Sequence, residues 1–134
     1  MTPTPRGHAG AIFSDSFSPD GRHVASASGN RGTPRPGEVK VWEVLSGQEV
    51  LTLTGHAGAV FFVAYSPDGR LLATASGDRT VRLWEAATGR EITSLTGHTG
   101  IVYSVAFSPD GKRLASAGAD RAVKVWDVPA PGRS

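Results

Sequence analysis

The chain has 134 residues, 39% of them hydrophobic, with 17 Gly, 9 Pro and no Cys; this is the size of one small turn-rich domain, with Gly and Pro too frequent for long helices and with disulfides and thiolate metal sites excluded. A formal charge of +2 is too small for a committed nucleic-acid binder, although a pI of about 9.4 is compatible with acidic partners. No signal-peptide core or apolar run of membrane-spanning length occurs, so the expectation is a cytoplasmic chain with no membrane partner.

Taken in order, the chain says nearly the same thing three times. Gly7-His8 opens the first unit, Ser18-Pro19-Asp20-Gly21 follows, and Trp42-Glu43 comes near its end. Gly55-His56, Ser66–Gly69 and Trp84-Glu85 mark the second unit, and Gly97-His98, Ser108–Gly111 and Trp126-Asp127 the third. His8, His56 and His98 stand 48 and 42 residues apart. A period near 42 with fixed markers means a repeat architecture. The units are 7–54, 55–96 and 97–128, with 129–134 a tail. The longer first spacing comes from six extra residues within Asn30–Glu38, NRGTPRPGE. Its prolines and glycines make it a lengthened loop.

The second unit shows the local period most clearly. Val60–Tyr65 is almost wholly apolar, as in a strand covered on both faces. In Ser66-Pro67-Asp68-Gly69, Pro pre-sets the first central turn position and Gly accepts positive φ. Leu71–Ser76 alternates larger residues with Ala, Gly77-Asp78-Arg79 turns tightly, and Thr80–Glu85 is β-branched and aromatic. Ala87-Thr88-Gly89 turns again, and Glu91–Thr96 forms a more polar fourth strand. Four antiparallel strands of this kind make one propeller blade. The third unit has no fourth strand. In the first, Asp15 takes the place of Val63 and Val105 in the innermost strand, and Ser16 that of Ala64 and Ala106. An unpaired buried carboxylate is expensive, so Asp15 is expected to face a wet channel or an open flank.

With its GH, SPDG, GDRT and WE or WD segments, the chain resembles the WD40 repeat family of β-propellers from Gly7 to Asp127. The resemblance implies an all-β fold of three blades, the last incomplete. It also implies that His8, Ser26, Asn30 and Trp42 form a structural hydrogen-bond network, as do His56, Thr74, Asp78 and Trp84, and His98, Ser116, Asp120 and Trp126. Asn30 replaces Asp, which makes the first network the weakest. In the family an N-terminal outer strand usually completes the last blade; Met1–Arg6 offers only a short version with two prolines. Closed propellers use about four to eight blades. Three therefore point to a fragment of a larger propeller or to self-association into a ring, with protein or peptide partners in either case.

Ser, His and Asp together also invite an acyl-transfer triad. The set recurs in every unit, whereas an active site is normally single, so no catalytic residue is assigned. The histidines lack metal-ligand spacing and no Gly-rich loop precedes a helix, so no metal or cofactor is expected. The resemblance places partner contacts at Ala11, Phe13 and Gly29, at Ala59, Phe61 and Gly77, and at Ile101, Tyr103 and Ala119. One aromatic per unit, Phe13, Phe61 and Tyr103, is a candidate anchor. Arg31, Arg79 and Arg121 follow the turn Asp or Asn and could rim the same face. The expected function is a non-catalytic docking scaffold. The alternative is a regulatory segment of a multidomain enzyme whose chemistry lies on another domain.

Overall fold

Each Ser-Pro-Asp-Gly segment closes a hairpin, and its side chains explain why. In the second, Ser66 Oγ accepts from the Leu71 N–H at 3.0 Å, while Asp68 Oδ1 accepts from the Arg70 N–H at 3.0 Å and from the Ser66 hydroxyl at 2.6 Å. Gly69 sits at φ 74°, a region that side chains avoid. The computed structural model describes residues 11–29 and 37–128, and within them every regular element is a strand. None is a helix long and apolar enough to cross a membrane.

The strands are β1 (Ala11–Phe17), β2 (His23–Gly29), β3 (Glu38–Glu43), β4 (Glu49–Leu53), β5 (Val60–Tyr65), β6 (Leu71–Ser76), β7 (Val81–Glu85), β8 (Glu91–Leu95), β9 (Val102–Phe107), β10 (Arg113–Gly118) and β11 (Val123–Asp127). They form three antiparallel meanders, β1-β2-β3-β4, β5-β6-β7-β8 and β9-β10-β11. We call these blades 1, 2 and 3. Three ends differ from the sequence-based expectation. Thr80 leaves the third strand of blade 2, because its hydroxyl donates to Asp78 Oδ1 at 2.6 Å and draws it into the turn. Thr96 falls outside β8. Glu38, expected in a loop, instead opens β3 opposite Ser28; the rest of that insertion, apart from Gly37, lies outside the described residues.

The core sits between blades. Ala25, Ala27, Val39, Val41 and Leu53 of blade 1 meet Val60, Val63, Leu72 and Trp84 of blade 2. Ala73, Ala75, Val81 and Leu83 of blade 2 meet Val102, Val105 and Leu114 of blade 3. The alternation in the second strands has a packing reason. Leu72, Thr74 and Ser76 point one way; Ala73 and Ala75 point the other and leave room for the next blade. All six residues of β6 are buried, since it is the middle strand of the middle blade. Each fully buried Val or Leu contributes about 1.5–3 kcal/mol, so the blade interfaces hold most of the apolar stabilisation. Among the described residues, the outer flanks lack it. Val123 and Val125 are 72% and 64% exposed, whereas Val81 and Leu83, at the same places in blade 2, are fully buried.

Candidate functional site

The recurring polar residues of blade 2 meet at the end opposite the Ser-Pro-Asp-Gly turns. Trp84 Nε1–H donates to Thr74 Oγ1 at 3.0 Å. The Thr74 hydroxyl lies 2.6 Å from His56 Nε2, and His56 Nδ1 lies 2.9 Å from Asp78 Oδ2. Asp78 is acceptor-only when ionised, so Nδ1 carries the proton and Nε2 accepts from the threonine. The Ala57 N–H also donates to Asp78 Oδ2 at 3.0 Å. Burial acts to raise the Asp78 carboxyl. Hydrogen bonds from His56, from Thr80 and from the Ala57 N–H outweigh it, holding the group well below the usual carboxylate range. Four strand or loop segments are thereby tied by one chain of bonds.

Blade 3 repeats the chain. Trp126 Nε1–H donates to Ser116 Oγ at 2.8 Å, Ser116 Oγ is 2.8 Å from His98 Nε2, and His98 Nδ1 is 2.9 Å from Asp120 Oδ2. Burial again works against the Asp120 charge, and the Ala122 and Thr99 N–H groups with His98 prevail, lowering its pKa. In blade 1 the Trp42 Nε1–H to Ser26 Oγ bond is present at 3.0 Å. His8 and Asn30, the remainder of that set, lie outside the described residues.

Beside these chains the three aromatics form a row. Phe13 and Phe61 meet edge-on with ring centroids 5.0 Å apart, and Phe61 and Tyr103 are 5.7 Å apart. Each stands at a register slip: Phe13 between Ile12 and Ser14, Phe61 between Val60 and Phe62, Tyr103 between Val102 and Ser104. A bulge leaves its extra residue outside the ladder and re-aims its side chain. These rings therefore turn toward the loop end of the molecule and along it, from one blade to the next. Phe61, enclosed by its neighbours, is 9% exposed, whereas Tyr103 is 45% exposed. The tight turns flank the row: a Cβ on Gly77 would lie 3.3 Å from Phe61 Cε2. Arg79 and Arg121 are exposed in those turns, at φ 74° and 64°.

Three consecutive segments of the chain, 2–43, 47–85 and 89–127, match the family model described as WD domain, G-beta repeat. The chain belongs to the WD40 repeat family. Among solved structures it is similar to that of the RRP9 WD40 repeats, with 30% sequence identity and a TM-score of 0.86. The match covers 95% of this chain and 38% of that one, so this chain spans well under half its length. No curated protein matches the chain. Each WD40 match ends at a Trp-Asp or Trp-Glu pair and starts upstream of the Gly-His pair, so the second and third begin near the outer strand of the preceding blade.

Placed on the WD40 blades, the other expected contact residues are unequal. Ile101 is half-buried and its carbonyl oxygen accepts from the Ala119 N–H at 2.8 Å, so it shapes the entry to β9. Arg31 lies outside the described residues. Asp15 pairs with Ser26 in the register that Val63 shares with Thr74 and Val105 with Ser116, and it is exposed on the open flank of blade 1. Ser14 and Ser16, its neighbours, carry a role the sequence reading missed. Their hydroxyl oxygens accept from the Val63 and Tyr65 N–H groups at 3.3 and 3.1 Å, stitching blade 1 to blade 2. Two serines interrupting an apolar innermost strand were the available signal.

Proposed function

We propose that the chain is a non-catalytic docking module for protein or peptide partners, its contact surface the loop end that carries Phe13, Phe61 and Tyr103. The observation that carries this reading is the aromatic row itself: three rings set on bulges in matching places and ending in a half-exposed Tyr103. Aromatic residues supply much of the binding energy at interfaces, and the adjoining Arg79 and Arg121 favour acidic segments. Supporting the absence of catalysis, the Thr74 hydroxyl is fully buried and engaged by both His56 and Trp84, and the same chain recurs in blade 3. No substrate carbonyl can reach such a hydroxyl.

A photoreactive residue at position 103 tests the surface. It should capture a partner whose affinity then falls at least tenfold in Tyr103→Ala and Arg121→Ala, with melting temperatures unchanged. Capture from Thr88, at the opposite end, and not from position 103 refutes the assignment. Ester or peptide turnover by the wild type that disappears in Thr74→Val overturns the non-catalytic reading. The same proposal has the open flanks of blades 1 and 3 covered by further WD40 blades, of a longer chain or of a second copy. A discrete dimer or trimer in light scattering supports the second copy.

A further inference from the structure

Two turn glycines bring blades 1 and 2 together. A Cβ on Gly69 would lie 3.2 Å from Pro19 Cδ, and one on Gly89 would lie 2.8 Å from Leu53 Cδ2. Both glycines stand at positive φ, 74° and 78°. The backbones therefore approach more closely than a side chain would permit. Beside these contacts the blades leave a cleft of about 700 Å³, within the roughly 300–1,000 Å³ of small-ligand sites. Blade 1 lines it with Val41, Val50 and Leu51, and blade 2 with Ala86, Ala87 and Ile92. Both blades have all four strands, so the cleft owes nothing to the outer flanks.

The charged lining is rich in acid: Asp20, Asp68 and Glu85 outnumber Arg70 and His23 together. Asp20 follows Pro19 and Asp68 precedes Gly69, so the contact of the two turns brings both carboxylates to one end of the cleft. Each uses a single oxygen. Asp20 Oδ1 accepts from the Ser18 hydroxyl at 2.5 Å and the Arg22 N–H at 3.0 Å, and Asp68 Oδ1 does the same with Ser66 and Arg70. These bonds hold both carboxyls below the usual carboxylate range, so both are charged at neutral pH. The second oxygen of each has no hydrogen-bond partner among the described residues. The same is true of the Tyr65 hydroxyl. Burial, joined by the Asp20 charge, pushes that phenol up to about 12, so it stays a neutral hydroxyl. Phe17 and Phe107 hold its place in the other blades; the hydroxyl belongs to this cleft alone.

We propose that the cleft between blades 1 and 2 binds a small organic cation, an apolar body ending in a primary ammonium. The ammonium has three N–H donors and no acceptor. They match the second oxygens of Asp20 and Asp68 and the hydroxyl oxygen of Tyr65, three acceptors that the fold leaves unused at one end of the cleft. The apolar body lies on Val41, Leu51 and the two alanines that open the β7–β8 turn. Partial burial there makes the charge pairs stronger than they are in open water. The same carboxylates turn anions away. The site sits at the opposite end of the molecule from the aromatic row, where Arg79 and Arg121 favour acids, and it stands whether or not that row binds a partner.

Phenylbutylamine, titrated into the 134-residue protein and followed by amide nitrogen–proton correlation spectra, tests the proposal. Saturable binding is expected, with the largest shifts at Tyr65, Arg70 and Ala86. Phenylbutanol should bind at least tenfold more weakly, and phenylbutanoate more weakly still. Asp20→Asn combined with Asp68→Asn should weaken the amine at least tenfold and leave the alcohol unchanged, which a loss of structure could not do. Ala87→Leu repeats the residue found at the same turn position of blade 1, Leu45. It narrows the cleft and should weaken amine and alcohol alike, at least fivefold, with circular dichroism unchanged. Absence of saturable binding, equal affinity for the amine and the acid, or amine binding indifferent to these substitutions overturns the proposal.

Discussion

Replacing Thr74 with Val removes one oxygen from the centre of the blade 2 chain and nearly preserves shape. Thr74 is fully buried, and its Oγ1 serves both His56 Nε2 at 2.6 Å and Trp84 Nε1 at 3.0 Å. Without it, two buried groups lose their partner, and neither has water to turn to. Each orphaned group costs about 1–3 kcal/mol, while the extra buried methyl returns about 0.8 kcal/mol. The expected loss is about 2–4 kcal/mol. Urea unfolding followed by tryptophan fluorescence measures it. With a slope of about 1–3 kcal/mol per molar, the midpoint should fall by roughly 1–2 M. Ser116→Ala in blade 3 is the internal control. Its bonds are alike, but Trp126 is partly exposed, so water replaces part of what is lost and the cost should be smaller. A change under about 0.5 kcal/mol for Thr74→Val, or a larger effect at Ser116, would refute the idea that burial gives this chain its weight.

Other outcomes follow from the same site. The Asp78 pKa is depressed on folding, so its contribution is present above the unfolded carboxylate value of about 3.9 and is lost as pH falls below it toward the folded value. Thermal melts should therefore show Asp78→Asn less stable than wild type at neutral pH, with the two converging in acid; a gap that persists undiminished at pH 2 would contradict this. Arg79, at φ 74°, is strained by about 1–2 kcal/mol relative to Gly, part of which Gly gives back as chain entropy. Arg79→Gly should raise urea resistance by up to about 1 kcal/mol, and a fall would mean that the side chain holds the turn.

The blades were legible because each unit writes the same strands and turns in the same order. Ser-Pro-Asp-Gly alone locates three hairpins, since the Asp and Ser side chains satisfy the turn's own N–H groups. The polar chains were legible through the resemblance to the WD40 family, which implies that the recurring His, hydroxyl, Asp and Trp bond to one another. The bulges were not. Val60–Tyr65 is apolar throughout, so a skipped residue leaves no break in an alternation that does not exist. The disposition of Phe61 depends on Phe13 and Tyr103, which lie on other blades. Thr80 was misread because β-branching favours a strand, whereas its hydroxyl serves Asp78 in the turn.

The exposed valines of blade 3 are the reverse case, where residue type predicts a covered position that no described residue covers. Val123 and Val125 repeat Val81 and Leu83 in chemistry and register, and on the proposed reading a further WD40 blade covers them. That surface has a polar detail as well. Ser104 occupies the place of Ser14, whose hydroxyl oxygen accepts a backbone N–H from the innermost strand of the following blade. Blade 2 has Phe62 there and relies on apolar contact alone. The trailing face of blade 3 thus resembles that of blade 1 more than that of blade 2. On the proposed reading, the strand that follows has an N–H opposite Ser104 and an apolar residue at the position of Val63. Asp15, on the leading flank of blade 1, supplies the N–H but brings a carboxylate in place of Val63. Direct stacking of blade 3 of one copy on blade 1 of another would bury that charge, and Asp15→Val is the substitution that removes the penalty.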